Sequence, residues 1–217
     1  GAAFNSITGF SNEGEKSGEV KNYIHPPEHA EFAVTWFENR LEKTKIDLVK
    51  LLKEFRLSEA LKIIYSLIWD DFCSWYLEWI KPDYGEPIDY NTHQSTINFF
   101  EELMQLLHPF MPFITEEIYH LLRKREDDLC VKQLGELKDT NIIILKQGKL
   151  LKDVITSIRE VRNKNNLKPK ETINIEILTQ TKDIYKSIEY ILAKQTNATS
   201  INYIDFSNSD SVPIVIG

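Results

Sequence analysis

The sequence predicts a mainly α protein, an antiparallel helical bundle with a small C-terminal α/β appendage. Between residues 27 and 165, apolar side chains recur at alternating intervals of three and four, the period of amphipathic helices. After residue 169 the period changes to two, because Ile173, Ile175 and Ile177 alternate with polar residues. The appendage therefore begins where the helical period ends.

Five helices are predicted in the bundle. The first begins at Pro27, and the second begins at Ser58, a suitable N-cap, and ends near Pro82. The second helix is apolar around most of its circumference, so we expect it to pack on two sides. The fourth helix opens with Pro112, since proline suits a first helical turn. The third, fourth and fifth helices are expected over residues 92–107, 112–122 and 150–165.

The appendage is predicted to be a β-α-β-β subdomain. A helix over residues 183–195 follows the first strand, and two further strands are expected over residues 200–206 and 212–216. We divide the chain into residues 1–168, the bundle, and residues 169–217, a subdomain small enough to need packing on it. A polar stretch without periodicity, residues 11–22, is predicted to be a mobile loop.

Composition excludes several classes of protein. A hydrophobic fraction of 42% is typical of an ordered globular chain, and a net charge of −7 excludes a polycation that coats nucleic acid. The longest aliphatic run, Ile142 to Leu145, is far shorter than the ~18 residues that span a bilayer. Two cysteines form no disulfide framework and the first residues do not resemble a secretory signal, so a cytoplasmic protein is expected.

The sequence offers little for catalysis. The spelling H-x-x-E-H at residues 25–29 resembles a zinc-protease motif, but the prolines within it oppose the required helical turn. Glu117 and His120 form only one of the two pairs that a di-iron bundle needs. Cys73 lies on an apolar row, where a buried, inert thiol is expected. No glycine-rich phosphate loop occurs. We therefore expect no active site, no metal and no cofactor in this chain.

The charge is unevenly distributed. Residues 141–171 contain eight basic and three acidic residues, a net charge of +5 that leaves −12 for the rest of the chain. A basic helix on an acidic body indicates local contact with phosphates, although a solvated helix face is an equally good interpretation. Aromatic residues between 69 and 79 could stack on bases, but at helical spacing they are usually core.

Three motifs together resemble one family. They are R-L-S-E-A at residues 56–60, W-D-D-F-C-S-W-Y-L-E at residues 69–78 and L-H-P-F-M-P-F-I-T-E-E at residues 107–117. Their combination closely resembles the anticodon-binding region of valyl-tRNA synthetases, class I enzymes. I-R-E-V-R-N at residues 158–163 is similar to that family too, so the resemblance covers nearly the whole chain.

This resemblance implies a helical bundle that docks the anticodon stem-loop of tRNA(Val). The upstream catalytic and editing domains of the same enzyme, which would use ATP with Mg to attach valine, have signatures that do not occur here. The resemblance places the anticodon-loop contact at the end of the family's first bundle helix, at Phe4, Asn5 and Ser6. The protein is expected to be a monomer that binds no membrane and no DNA.

Charge adds a second set of candidate residues. Arg159, Arg162, Lys164 and Lys168 lie in the basic segment, and we expect them to hold the tRNA backbone while bases are read elsewhere. Two alternatives remain, a non-catalytic helical scaffold that binds proteins and a metal-dependent bundle enzyme.

Overall fold

The computed structural model describes residues 28–124, 126–168, 170–205 and 211–216. Helix α1 spans Glu28–Lys53. It stops before Phe55, which has a positive φ of 56° and is 87% exposed. The Arg56 N–H donates to the Leu51 carbonyl at 2.9 Å, the bond that closes a Schellman turn after a left-handed residue. The predicted loop at residues 11–22 lies outside the described residues.

The second rod is one continuous helical segment of mixed winding. It contains α2 (Leu57–Ser66), a π-helix (Leu67–Tyr76) and α3 (Leu77–Trp79), and Arg56, not Ser58, precedes its first residue. Inside the π segment the backbone bonds span five residues, as the Leu77 N–H to Phe72 carbonyl bond shows. This wider turn directs Asp71 and Tyr76 inward together and leaves Cys73 exposed.

The second apolar row that the sequence predicts on this rod is only partly buried. Trp69 is 59% exposed and Cys73 is exposed, whereas Tyr76 and Trp79 are buried. Side chains spaced at the α-helical period of 3.6 residues do not stay on one face of a π-helix. Its hydrogen bonds span five residues and therefore rotate the later side chains onto a different face. Cys73 is therefore a surface thiol. Its partial burial still raises the pKa of the thiol, because burial removes water from around it.

Three further helices complete the bundle. Helix α4 spans Tyr90–Leu107 and is capped by Asp89, whose carboxylate accepts the Thr92 N–H at 2.9 Å. Helix α5 spans Pro112–Leu122, as predicted, and a short 3₁₀ turn follows at Leu129–Val131. Helix α6 spans Ile142–Lys164 and begins eight residues earlier than predicted, because the Asn141 side chain caps the N–H groups of Ile143 and Ile144.

The appendage is built on two parallel strands. Strands β1 (Ile173–Leu178) and β2 (Ala198–Ile204) pair with Ile175 opposite Ile201, and helices α7 (Lys182–Lys186) and α8 (Glu189–Thr196) connect them. The predicted third strand is wrong for the described residues 211–216, which form no ladder with either strand. Alternating apolar residues make a strand only when a neighbour takes their backbone hydrogen bonds. The Ser211 hydroxyl donates to the Glu176 carboxylate of β1 at 3.1 Å.

Bundle and appendage share one core. Phe37 packs edge-on against Phe99, with ring centroids 5.1 Å apart, and Trp36 lies 4.6 Å from Trp79. Ile188 and Leu192 of the appendage belong to the same buried cluster. Among the described residues, no helix is both long and apolar enough to cross a membrane. The fold is therefore a helical bundle with a small α/β appendage, which confirms the predicted class.

Candidate nucleic-acid interface

The C-terminal half of α6 and the turn after it present the basic segment. Arg159, Lys164 and Lys168 are exposed there, and Lys170 is exposed at the approach to β1. Three of the four backbone-binding residues predicted from charge are therefore accessible to solvent. The fourth, Arg162, is not.

Arg159 is held in place by an aromatic ring and an amide. Its guanidinium carbon lies 5.6 Å from the centroid of the Trp75 ring, and Nη2 donates to Gln195 Oε1 at 3.1 Å. The Gln195 Nε2 group in turn donates to the Glu78 carbonyl at 3.1 Å. Stacking on an aromatic face and one neutral hydrogen bond orient the guanidinium and leave its charge unneutralised.

Arg162 is a buried structural residue, 7% exposed. Its guanidinium donates to the backbone carbonyls of Thr196 at 3.2 Å and Lys168 at 2.6 Å, and also to the Glu171 carbonyl. These carbonyls belong to α8 and to the turn between α6 and β1. A phosphate could reach Arg162 only by breaking these bonds, so we assign it to joining the appendage to α6.

Arg159, Arg162 and Lys170 line an open recess of about 740 Å³, whereas Lys164 and Lys168 do not. Four of its lining residues are cationic, and none of the described residues lining it is acidic. Asn197, which ends α8 in the left-handed conformation with a φ of 54°, donates its side-chain amide to the Lys170 carbonyl at 2.8 Å. The lining residues are Arg159, Arg162, Asn163, Leu167, Lys170, Lys194, Gln195, Thr196 and Asn197.

Two further candidate features concern other parts of the chain. Phe4, Asn5 and Ser6, the predicted anticodon-loop residues, lie outside the described residues. Tyr65 and Trp69 form an exposed, nearly parallel ring pair, with centroids 6.4 Å and planes 14° apart, on the second rod. Their exposed fractions are 61% and 59%. The sequence pattern places Trp69 in the core, because it shares an apolar row with the buried Tyr76 and Ile80.

The described residues that could hold a metal ion are Glu116, His120 and Asp128, whose ligand atoms all lie within 4.8 Å of one another. His120 Nε2 is 3.3 Å from Glu116 Oε1 and 3.0 Å from Asp128 Oδ1. Glu116 already accepts the backbone N–H groups of Leu129 at 2.6 Å and Cys130 at 3.1 Å. Both carboxylate oxygens of Glu116 therefore have a structural role, which is to hold the 3₁₀ turn against α5.

The electrostatics of Glu116 follow from these contacts. Burial alone would raise its pKa, but the two backbone N–H groups, together with His108 and His120, outweigh burial and lower the pKa below its ordinary value. Glu117, the residue that the sequence paired with His120, is exposed. Glu116, four residues before His120 on the same face of the helix, is the glutamate that contacts the histidine.

Comparison with known proteins gives independent evidence of the family to which the chain belongs. The profile of a family described as the anticodon-binding domain of tRNA ligase matches residues 35–177. The chain is 40% identical to a valine–tRNA ligase of Phocaeicola vulgatus over 93% of its own length and 23% of the relative's. It is 40% identical to the Porphyromonas gingivalis valine–tRNA ligase, over 88% and 22% of the two chains.

A more distant relative carries the same name and is likewise matched over only part of its length. The chain is 33% identical to a valine–tRNA ligase of Bacillus subtilis over 71% of its own length and 18% of the relative's. It therefore spans about a fifth of the length of the curated relatives that it matches.

Proposed function

Because the chain belongs to the anticodon-binding domain family of tRNA ligases, we propose that it binds the anticodon stem-loop of tRNA(Val). As part of a longer valine–tRNA ligase of the cytoplasm, it would support the ATP-dependent attachment of valine by domains outside this chain. ATP and Mg belong to those domains. The chain's own task is to hold one end of the tRNA so that the other end reaches them.

One observation carries this proposal, the exposed cationic surface on an otherwise acidic chain. Arg159, Lys164 and Lys168 lie on consecutive turns at the end of α6 and just beyond it. Phosphate contacts fix the position of an RNA without reading its sequence, and bases splayed from a loop are read by side chains elsewhere. We assign phosphate contacts to these three residues and keep Phe4, Asn5 and Ser6 as the proposed contacts to loop bases.

Titration with tRNA tests the proposal. The monomeric chain is expected to bind tRNA(Val) with an affinity that falls steeply between about 50 and 200 mM salt, since phosphate contacts release counterions. A tRNA with a different anticodon should bind more weakly at every salt concentration, and duplex DNA of equal charge should not compete. An affinity that does not change with the anticodon, or does not change with the salt concentration, would contradict the proposal.

A protein-interaction scaffold is the second candidate, and the exposed pair of Tyr65 and Trp69 favours it. Exposed aromatic pairs are enriched at protein interfaces. This function predicts no salt-dependent binding of tRNA, so the same titration separates the two candidates.

A further inference from the structure

We propose that the recess beside α6 is a binding site for a backbone phosphate of RNA, with Arg159, Lys170 and Asn163 as its donors. This inference rests on the proposed function and adds to it a specific site. Lys170 and Asn163 were not among the residues that the charge pattern singled out. They enter because the turn after α6 brings them to the same recess as Arg159.

The lining of the recess selects an anion. The chain has a net charge of −7, yet of the nine described residues that line the recess four are cationic and none is acidic. Leu167 is the one apolar residue among these nine, so they offer an acidic peptide no hydrophobic pocket for an anchoring side chain, as protein partners generally need. A phosphate needs charged and amide donors instead, which this lining supplies.

Arg162 holds the backbone around the recess. Of its three carbonyl partners, Thr196 lines the recess, and its oxygen would repel an anion if it were not already bonded to the Arg162 guanidinium. The other two bonds, to the Lys168 and Glu171 carbonyls, hold the turn that carries Lys170. Arg162 is thus a positioning residue, because it acts on the ligand through the backbone that it holds.

Lys194 is not one of the proposed phosphate donors. Its Nζ donates to the Lys81 carbonyl at 2.7 Å and pairs with the Asp83 carboxylate at 2.9 Å, so Asp83 offsets its charge. Within the described part of the chain, Arg159 contacts a neutral amide and an aromatic ring but no carboxylate, and Lys170 is exposed. The strongest attraction for a phosphate therefore lies between Arg159 and Lys170. The exposed Asn163 amide is one further neutral donor at the recess.

The test compares Lys170→Gln and Arg159→Gln with Lys146→Gln in the 217-residue chain. Lys146 is exposed on the same helix, about 20 Å from Arg159 along its axis. With an anticodon stem-loop RNA as probe, each recess variant should lose about tenfold in affinity at 0.1 M salt, and the salt slope should fall by about 1. Lys146→Gln should stay within about twofold. Circular dichroism establishes that all three variants fold.

The outcomes separate this site from the proposed function. If the unmodified chain binds the RNA but both recess variants behave like Lys146→Gln, the recess is wrong and the proposed function stands. If the unmodified chain shows no salt-dependent binding, the proposed function itself fails. Poly-glutamate is the second probe: displacement of the RNA from the recess by poly-glutamate of equal charge would overturn the assignment to phosphate. Amide NMR shifts induced by the RNA at Asn163 and Asn197 would support it.

Discussion

Asp71 and Lys152 meet across two helices: the carboxylate Oδ1 of Asp71 accepts the Lys152 ammonium at 2.8 Å, although Asp71 is only 3% exposed. The other oxygen, Oδ2, accepts the Arg40 guanidinium at 2.7 and 3.0 Å. One buried carboxylate in the π-helix therefore ties α1 and α6 to the second rod. A carboxylate this deep is tolerated because it is paired twice.

Asp71→Asn should lower the free energy of unfolding by about 2 kcal/mol, because it removes the charge that two cations face. Breaking a fully buried pair costs more, but Arg40 and Lys152 are 32% and 25% exposed and regain water. Urea denaturation measures the loss. Asp70→Asn is the matched control, since Asp70 is exposed and bonds only to Ser66 in the described structure. An equal loss in both variants would argue against a special role for Asp71.

Gly148→Ala should destabilise the protein by about 1–2 kcal/mol, although alanine is normally the better helix former by about 1 kcal/mol. Gly148 lies in α6, and a Cβ there would overlap the Trp36 indole, which is fully buried and has little room to move. Thermal unfolding checks the sign. Gly135→Ala, where a Cβ meets nothing within 4 Å, should be neutral. A stabilised Gly148→Ala variant would show that the Trp36 side chain can shift.

Acid should release the 3₁₀ turn from Glu116. Since the pKa of Glu116 is lower in the folded protein, its contribution to stability is fully present above the ordinary glutamate pKa and is lost as pH falls through the lower folded value. The amide resonances of Leu129 and Cys130 should therefore titrate together below about pH 4.3. Glu116→Gln should abolish this titration and Glu117→Gln should not. Unchanged resonances down to pH 2 would contradict the assigned contacts.

Arg162→Ala should lower the free energy of unfolding by about 3 kcal/mol, because three backbone carbonyls lose a charged donor. Arg162→Lys should restore only part of this loss, since one ammonium cannot reproduce the guanidinium fork. Arg159→Ala, on the same helix but exposed, should cost less than about 1 kcal/mol. Chemical denaturation compares the three. Equal stability of Arg162→Ala and Arg159→Ala would contradict the structural role.

The role of Arg162 could have been read from the sequence. Leu151, Ile155 and Ile158 follow the core spacing of four and three residues, and Arg162 comes four residues later on the same face. A count of charges alone missed this, because it treats all basic residues of a segment as equally exposed. What the sequence could not supply is the identity of the partners, three carbonyls from segments that only the folded chain brings together.

The second limit on prediction from the sequence was the type of helix. Helix α5 was predicted to the residue, because Pro112 marks its first turn and its core follows the usual period. The burial of Asp71 and the exposure of Trp69 were missed because both depend on the π-helix, and nothing in residues 67–76 marks a change from bonds over four residues to bonds over five. The early start of α6 was missed because four consecutive apolar residues carry no helical period.

The common core described above has a consequence for how the protein denatures. Ile177, Ile188 and Leu192 are buried with the bundle's tryptophans, so neither region retains a dry interior after the other has melted. Heat should therefore produce one cooperative calorimetric transition, with equal van't Hoff and calorimetric enthalpies. A chain shortened to residue 168 would lose part of that interior and melt at a lower temperature than the intact protein.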